Sequence, residues 1–342
     1  FGMVPASALS CGRIPTNWDC PEKPCGINLY PSFINAMEKT RIQFTGNVQE
    51  TLLIPLWMRA VESRRKDALF HDTVSCSIVE RIDYDFRKFS RDRMSMTGVA
   101  VRTRYLDDAA DSFISSHENP VVVLLGCGLD PRVQRLSNAG RAVFYELDLP
   151  DVISLRETLL PQTGRDRYIS CSMLETEWMD SLRERHPSGQ FLFICEGVFM
   201  YFTENEVRQV LADLAARFRD GVVYFERMGR MASGQTRHHK SVGQTDAQFR
   251  WGCDDPHEVE RWNGALELLG TMYYCDYAPG RQAETFLEFV YIEIADPAAA
   301  EPDFCRRQTD MFSRNGRIYI CMVLAVVFAC PCGSAVRTDC YV

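Results

Sequence analysis

The spacing of apolar residues changes along the chain, and the changes divide it. Residues 1–36 are rich in Pro, Cys and Gly and carry no period. From Thr45 to about Arg104 the pattern is helical. Val48, Leu52, Leu53, Leu56, Ala60 and Val61 recur near helical spacing, and Pro55 predicts a kink or break. Asp107 to His117 predicts a further helix running up to Pro120. The period then switches. Val121-Val-Val-Leu-Leu-Gly126 is a continuous apolar run with a glycine stop, as suits a parallel strand buried on both faces. Ala142–Leu147, Arg167–Cys171, Phe191–Glu196 and Gly221–Glu226 predict four more strands. Between the last two lies a helix that Thr203 and Glu206 can cap as a box, with Val207, Val210, Leu211, Leu214 and Phe218 as its apolar stripe. Met272–Tyr277 and Arg317–Ala325 are the remaining strand candidates.

Strands alternating with helices from residue 121 onward predict an α/β fold: a Rossmann-like three-layer sandwich on a mostly parallel seven-stranded sheet. The expected boundaries are a poorly ordered leader over 1–36, one domain over 37–325, and a Cys-rich tail over 326–342. Within that domain, 37–118 forms a helical cover and 119–325 the Rossmann-like core.

Composition narrows the class. With 342 residues, 46% of them hydrophobic, the chain can bury a large core without disulfides or a metal. Its 14 cysteines are scattered, several lie in apolar runs (Cys127, Cys195, Cys321), and no CxxC pair occurs. Reduced thiols in a cytoplasmic protein are the expected state. Cysteines thicken at both ends (Cys11, Cys20, Cys25; Cys330, Cys332, Cys340) without a zinc spacing, so no metal is expected. The net charge of −8 argues against a nucleic-acid binder. No apolar core of a signal peptide opens the chain. The run Ile318–Cys330 is shorter than the roughly 20 residues a membrane span needs. The sequence does not define the oligomeric state.

The candidate chemistry lies at strand ends. The first strand runs into Leu125-Gly-Cys-Gly-Leu-Asp-Pro-Arg132. Glycine in a strand-to-helix turn lets the backbone approach a ligand, and this crevice is where open α/β sheets bind. Glu146, near the end of the second strand, can accept from two ribose hydroxyls. Pro131 stands where a dinucleotide fingerprint needs its third glycine. This favours S-adenosyl-L-methionine over NAD, with an NAD-dependent oxidoreductase as the rival. Glu196-Gly197 after the fourth strand faces the same crevice, where Glu196 can meet the sulfonium or amino group.

These blocks resemble the leucine carboxyl methyltransferase superfamily, in its polyketide (tetracenomycin-type) O-methyltransferase branch. The resemblance runs from about Thr45 to Trp251. It is carried by Gln49-Glu-Thr-Leu-Leu-Ile-Pro-Leu56, Arg59-Ala60, Arg102-Thr-Arg104, Leu125–Arg132, Tyr145-Glu-Leu-Asp-Leu-Pro150, Ser172-Met-Leu174 with Trp178, Glu196-Gly-Val-Phe-Met-Tyr201 and Phe249-Arg-Trp-Gly252. It implies a class I methyltransferase fold and an O-methyltransferase. Arg102 would hold the cofactor's carboxylate, Gly126 and Gly128 would line it with Asp130 nearby, and Glu146 would bind the ribose. Ser172, Met173 and Leu174 would flank the adenine. Glu196 and Tyr201 would sit at the methyl-transfer site as the catalytic candidates, and Glu196 and Gly197 would bind the cofactor. Many members have Asp where this chain has Ser172.

The expected acceptor is a small molecule offering a carboxylate or a hydroxyl. A carboxylate is ionised at neutral pH and needs no base. A hydroxyl needs one, for which His238 and His239 are the candidates. Otherwise Arg237-His-His-Lys240 is a solvated face. Trp251 and Trp262 can line a pocket or fill core. The other rivals are a tRNA-modifying relative and a binder that has lost catalysis.

Overall fold

Pro55 does not kink its helix. Gln49–Leu52 is a 3-10 turn leading into α1 (Leu53–Ser63), which puts Pro55 in the first turn, where its missing N–H costs no hydrogen bond. Asp72 caps α2 (Thr73–Arg81) by accepting from the Ser75 N–H. The helix expected over 107–117 is the end of a 24-residue helix, α3 (Arg93–Ser116), capped by Asp92. The computed structural model describes residues 39, 42, 49–245, 247–278, 281 and 318–324. All of them belong to one unit, Glu38–Val342. The expected leader, the expected tail and their cysteines lie outside the described residues. Among the described residues Cys76, Cys127, Cys171, Cys195 and Cys253 are free thiols, and no helix is long and apolar enough to cross a membrane.

The sheet follows the apolar runs to within a residue or so over its first five strands. These are β1 (Pro120–Leu125), β2 (Val143–Asp148), β3 (Asp166–Ser170), β4 (Gln190–Cys195) and β5 (Val222–Arg227). Helix α4 (Pro150–Leu159) connects β2 to β3, α5 (Glu177–Arg185) connects β3 to β4, and α6 (Glu204–Arg217) connects β4 to β5. The capping box of α6 forms as expected from Thr203 and Glu206. Successive side chains of a strand alternate between faces. Val121, Val123 and Leu125 therefore join Trp178, Leu182, Val207, Leu211 and Phe218 on one face. Val122 and Leu124 join Leu106, Ala110, Phe113 and Ile153 on the other. Both faces are covered, which is why β1 reads as an unbroken apolar run.

Two further strands complete the pairing: β6 (Leu266–Tyr273) and β7 (Ile318–Leu324). The order is β3-β2-β1-β4-β5-β7-β6, with every neighbour parallel. The strand expected over 272–277 is corrected here. β6 begins at Leu266, and Tyr274–Tyr277 is a helical turn whose Tyr277 ring packs on Tyr105 of α3. A register shift between Leu268 and Gly270 breaks the two-residue alternation that would have revealed this strand.

A buried ionic network joins the N-terminal helices to the carboxyl edge of the sheet. Arg135, after β1, donates to Asp107 of α3 at 2.5 and 3.0 Å, to the α2 cap Asp72 at 2.8 Å and to Asp130 at 3.2 Å. Arg132 donates to Asp107 at 2.8 Å and to Glu196, after β4, at 2.6 Å. Arg59 of α1 donates to the Leu129 carbonyl and lies 3.7 Å from both Asp72 and Glu196. Arg102 of α3 bridges Glu196 and Glu226 of β5. All these side chains are 13% exposed or less, so water does little to screen them. Removing one partner of a buried pair strands the other charge, at about 3–5 kcal/mol. Arg135→Leu is expected to lower the unfolding free energy by about that amount in urea titration. A change under about 1 kcal/mol would show that the network does not hold these helices.

Candidate functional site

The crevice sits where the chain turns opposite ways out of β1 and β4, the topological switch point of the sheet. Three glycines with positive φ line it: Gly126 (70°), Gly128 (49°) and Gly197 (71°). Each adopts a backbone conformation that L side chains avoid. A Cβ on Gly126 would come within 2.5 Å of the Val198 side chain, so the loops after β1 and β4 can meet only because this position is bare. A Cβ on Gly197 would lie 3.2 Å from the Arg102 guanidinium.

Two acidic residues lie on the same face of β2, two positions apart, and they do different work. Glu146 is fully buried. Its Oε1 accepts from Arg156 of α4 at 2.5 Å, and the Asp166 carboxyl of β3 stands against it. Burial pushes its carboxyl up to about 7 against the pull of Arg156. Arg156 also donates to the carbonyls of Gly128 and Asp130 at 2.8 Å, so the pair braces the glycine turn from behind. Asp148 is the last residue of β2, beyond Glu146 at the crevice edge. Its Oδ2 accepts from the Gly128 N–H at 2.8 Å and its Oδ1 from the Leu149 N–H at 2.8 Å. Burial raises its carboxyl, and the Gly128 N–H opposes the shift. The ribose expected at Glu146 thus has a second candidate acid, Asp148, on the same strand face. The interior and Arg156 hold Glu146, and Asp148 is the strand-end acid with lone pairs left over.

Asp130 departs from expectation in the same way. Burial alone would raise its carboxyl. Arg132, Arg59 and Arg135 outweigh this and hold it well below the usual range. Its side chain belongs to the ionic network. Arg102 keeps only 13% of its side chain exposed. It donates to Glu196 at 3.0 Å and to Glu226 at 3.1 Å. Glu196, also buried, is held below the usual carboxylate range because Arg102 and Arg132 overcome its desolvation. Tyr201 hydrogen-bonds Thr51 and packs on Phe249, with ring centroids 5.5 Å apart. Burial pushes its phenol up to about 12.

Past the end of β3, Ser172, Met173 and Leu174 form a turn in which the Leu174 N–H donates to the Ser172 hydroxyl at 3.2 Å. Met173 is buried beside Leu147 and Trp178, and Leu174 packs against the same cluster. His238 and His239 part company: His238 is exposed, whereas the His239 side chain is 9% exposed and packs on Phe249. Trp251 is core, against Phe199 and Phe225, and Trp262 leans on it. Sequence reasoning misses four side chains that shape the site: Arg132, Arg135, Arg156 and Asp148. The Glu-Leu-Asp spacing is the available signal for Asp148, since it puts two acids on one strand face.

The glycine turns, the switch-point crevice and the strand-end acid together define an α/β methyltransferase fold. Residues 53–215 match the leucine carboxyl methyltransferase family model. The tetracenomycin polyketide synthesis O-methyltransferase TcmP of Streptomyces glaucescens is 31% identical over 244 residues, 70% of this chain and 89% of that one. The S-adenosyl-L-methionine-dependent methyltransferase dpfgK of Gibberella zeae is 28% identical over 265 residues, 71% of this chain and 88% of that one. Among solved structures, an O-methyltransferase family protein from Burkholderia thailandensis aligns over 63% of each chain at 15% identity and TM-score 0.34. The chain belongs to the leucine carboxyl methyltransferase family, whose members use S-adenosyl-L-methionine.

The two acids are separable by experiment. Asp148→Asn is expected to lower the ligand-free melting temperature only a little, for one lost backbone hydrogen bond, and to weaken S-adenosylhomocysteine binding about 10- to 100-fold, as for lost hydrogen bonds to a charged group. Glu146→Gln is expected to lower the ligand-free melting temperature, because Arg156 loses its buried counter-charge. Thermal shift with and without ligand measures both, and the reverse pattern would return the ribose to Glu146.

Proposed function

We propose that this protein is an S-adenosyl-L-methionine-dependent O-methyltransferase that esterifies the carboxylate of a small molecule. The residues fit the cofactor. Bare glycine turns admit a nucleoside at the switch point, Asp148 has free lone pairs for ribose hydroxyls, and Arg102, whose Nε and Nη1 serve Glu196 and Glu226, would meet a carboxylate through Nη2. Ser172, Met173 and Leu174 would flank the adenine, and Glu196 and Gly197 would border the methionine end. In this reading the sheet is the seven-stranded Rossmann-like core, and α1 to α3 are the cover that excludes water.

One observation carries the carboxylate assignment: the acidic and phenolic groups beside the transfer site are not available as bases. Glu196 is held ionised, but its two oxygens are engaged by Arg102, Arg132 and Arg59. Tyr201 is held neutral at about 12. A nucleophile that arrives ionised suits such a site. The bound cofactor supplies an electrophilic methyl group on a sulfonium. The protein's task is then to align the acceptor oxygen and strip its water, and alignment alone can be worth ~7–11 kcal/mol. A hydroxyl acceptor is disfavoured because it would need the base that Glu196 and Tyr201 do not offer.

With carboxylic acid acceptors, kcat is expected to stay flat between about pH 7 and 9, since Glu196 titrates below that window and Tyr201 above it. Tyr201→Phe is expected to keep kcat within about tenfold. Radiolabelled methyl transfer, with the product cleaved by mild base as an ester, measures this. A rise in kcat with pH, or a loss near a thousandfold in Tyr201→Phe, would assign proton transfer to the protein.

A further inference from the structure

The surface run containing His238 also buries a histidine that the reading above leaves unused. His239 Nδ1 lies 3.1 Å from the Val242 N–H and 3.3 Å from the Ser241 N–H, and it accepts from both. A ring nitrogen that accepts two backbone N–H groups carries no proton, so in the neutral ring the proton sits on Nε2. The loop making these contacts is itself pinned. The Ser241 hydroxyl donates at 2.6 Å to Asp92, the cap of α3, and Asp92 Oδ2 lies 3.9 Å from Nδ1. Among the described residues no partner takes the Nε2 proton. The ring stands against Phe249, with centroids 5.7 Å apart, and Phe249 packs on Tyr201.

We infer that His239 is a positioning residue that presents Nε2–H to an acceptor oxygen, and that it is not a general base. Its basic nitrogen is consumed by the 241–242 backbone, and the nitrogen left over can only donate. A fixed donor suits an acceptor carboxylate: one oxygen is held while the other attacks. Protonation of Nδ1 would break both backbone bonds. Burial disfavours it, the charge of Arg102 adds to that, and only Asp92 opposes. The inference rests on the carboxylate reading above.

The test uses the full chain labelled with 15N-histidine and saturated with S-adenosylhomocysteine, with benzoate as the carboxylate probe. At about pH 7.5 His239 is expected as the neutral Nε2–H tautomer, and benzoate is expected to move the Nε2 resonance. His239→Phe keeps a ring but removes both the Nε2 donor and the Nδ1 acceptor of the 241–242 backbone, and is expected to weaken benzoate about tenfold or more, as for a hydrogen bond to a charged group. His239→Gln returns an N–H near Nε2 and is expected to recover most of that loss. A protonated Nδ1, an Nε2 resonance unmoved by benzoate, or a His239→Phe variant that binds benzoate as wild type does would each overturn the inference. If His239→Phe does not fold, the tautomer and the benzoate response of wild type still decide. Failure of the cofactor reading is distinguishable, because it appears as missing S-adenosylhomocysteine shifts in the same spectra.

Discussion

The buried exchange of charge between Arg59, Arg102, Arg132 and Arg135 and the carboxylates around them is the constraint on which the rest of the molecule depends. Strand ends and helix starts bring polar backbone to the carboxyl edge of a parallel sheet, and an apolar lid there would leave it unsatisfied. Helices α1 to α3 meet that edge largely through ion pairs. Arg135 touches the cap of α2, the middle of α3 and the turn after β1 at once. Arg132 ties the same turn to the loop after β4. Each of these carboxylates would be costly alone in the interior, and each arginine likewise. The helices and the sheet edge are therefore stable in this arrangement together or not at all.

The same charges set the chemistry next to them. Glu196 is ionised because Arg102 and Arg132 overcome its desolvation, and Asp130 is ionised for a similar reason. Neither carboxylate swings into the crevice, since every one of its oxygens already serves a guanidinium. The crevice itself is shaped by backbone. Gly126 allows the loops after β1 and β4 to close on each other through Val198, Gly197 lets the second loop approach Arg102, and the Glu146–Arg156 pair fixes the carbonyls behind that turn. Rigidity comes from the buried ions and access from the bare backbone.

Much of this was legible in the sequence, and the parts that were not have physical reasons. Apolar runs marked β1, β4 and β5 to within about one residue, because a strand buried on both faces has nothing else to be. The capping box of α6 was readable because Thr203 and Glu206 are local partners. The bulge at Leu268/Gly270 hid β6, since it removes the alternation that identifies a strand. The ionic network was not legible. Its partners lie as far apart as Arg102 and Glu226, and a charged residue in a helical stretch ordinarily marks the solvated face. Asp148 went unnoticed as a candidate for a related reason: two acids on one strand face look alike until Arg156 is seen to occupy the inner one. His239 was visible only as half of a basic pair.

The protonation states then bear on which acceptor this arrangement can serve. A phenol with a pKa near 10 is about one part in a thousand ionised at neutral pH, and reaching the reactive form costs about 4 kcal/mol. A carboxylic acid near pKa 4 is already in its reactive form. A site can offset 4 kcal/mol with a base, yet Glu196 is spent on arginines, Tyr201 holds its own proton, and the His239 nitrogen that could accept one is bound to the 241–242 backbone. The same buried guanidinia that hold the lid on the sheet thus remove the nearest carboxylate from service as a base. Under the carboxylate reading proposed above, stability and acceptor preference have a single source, so a change that freed Glu196 to take a proton would also loosen α1 and α3 from the sheet edge.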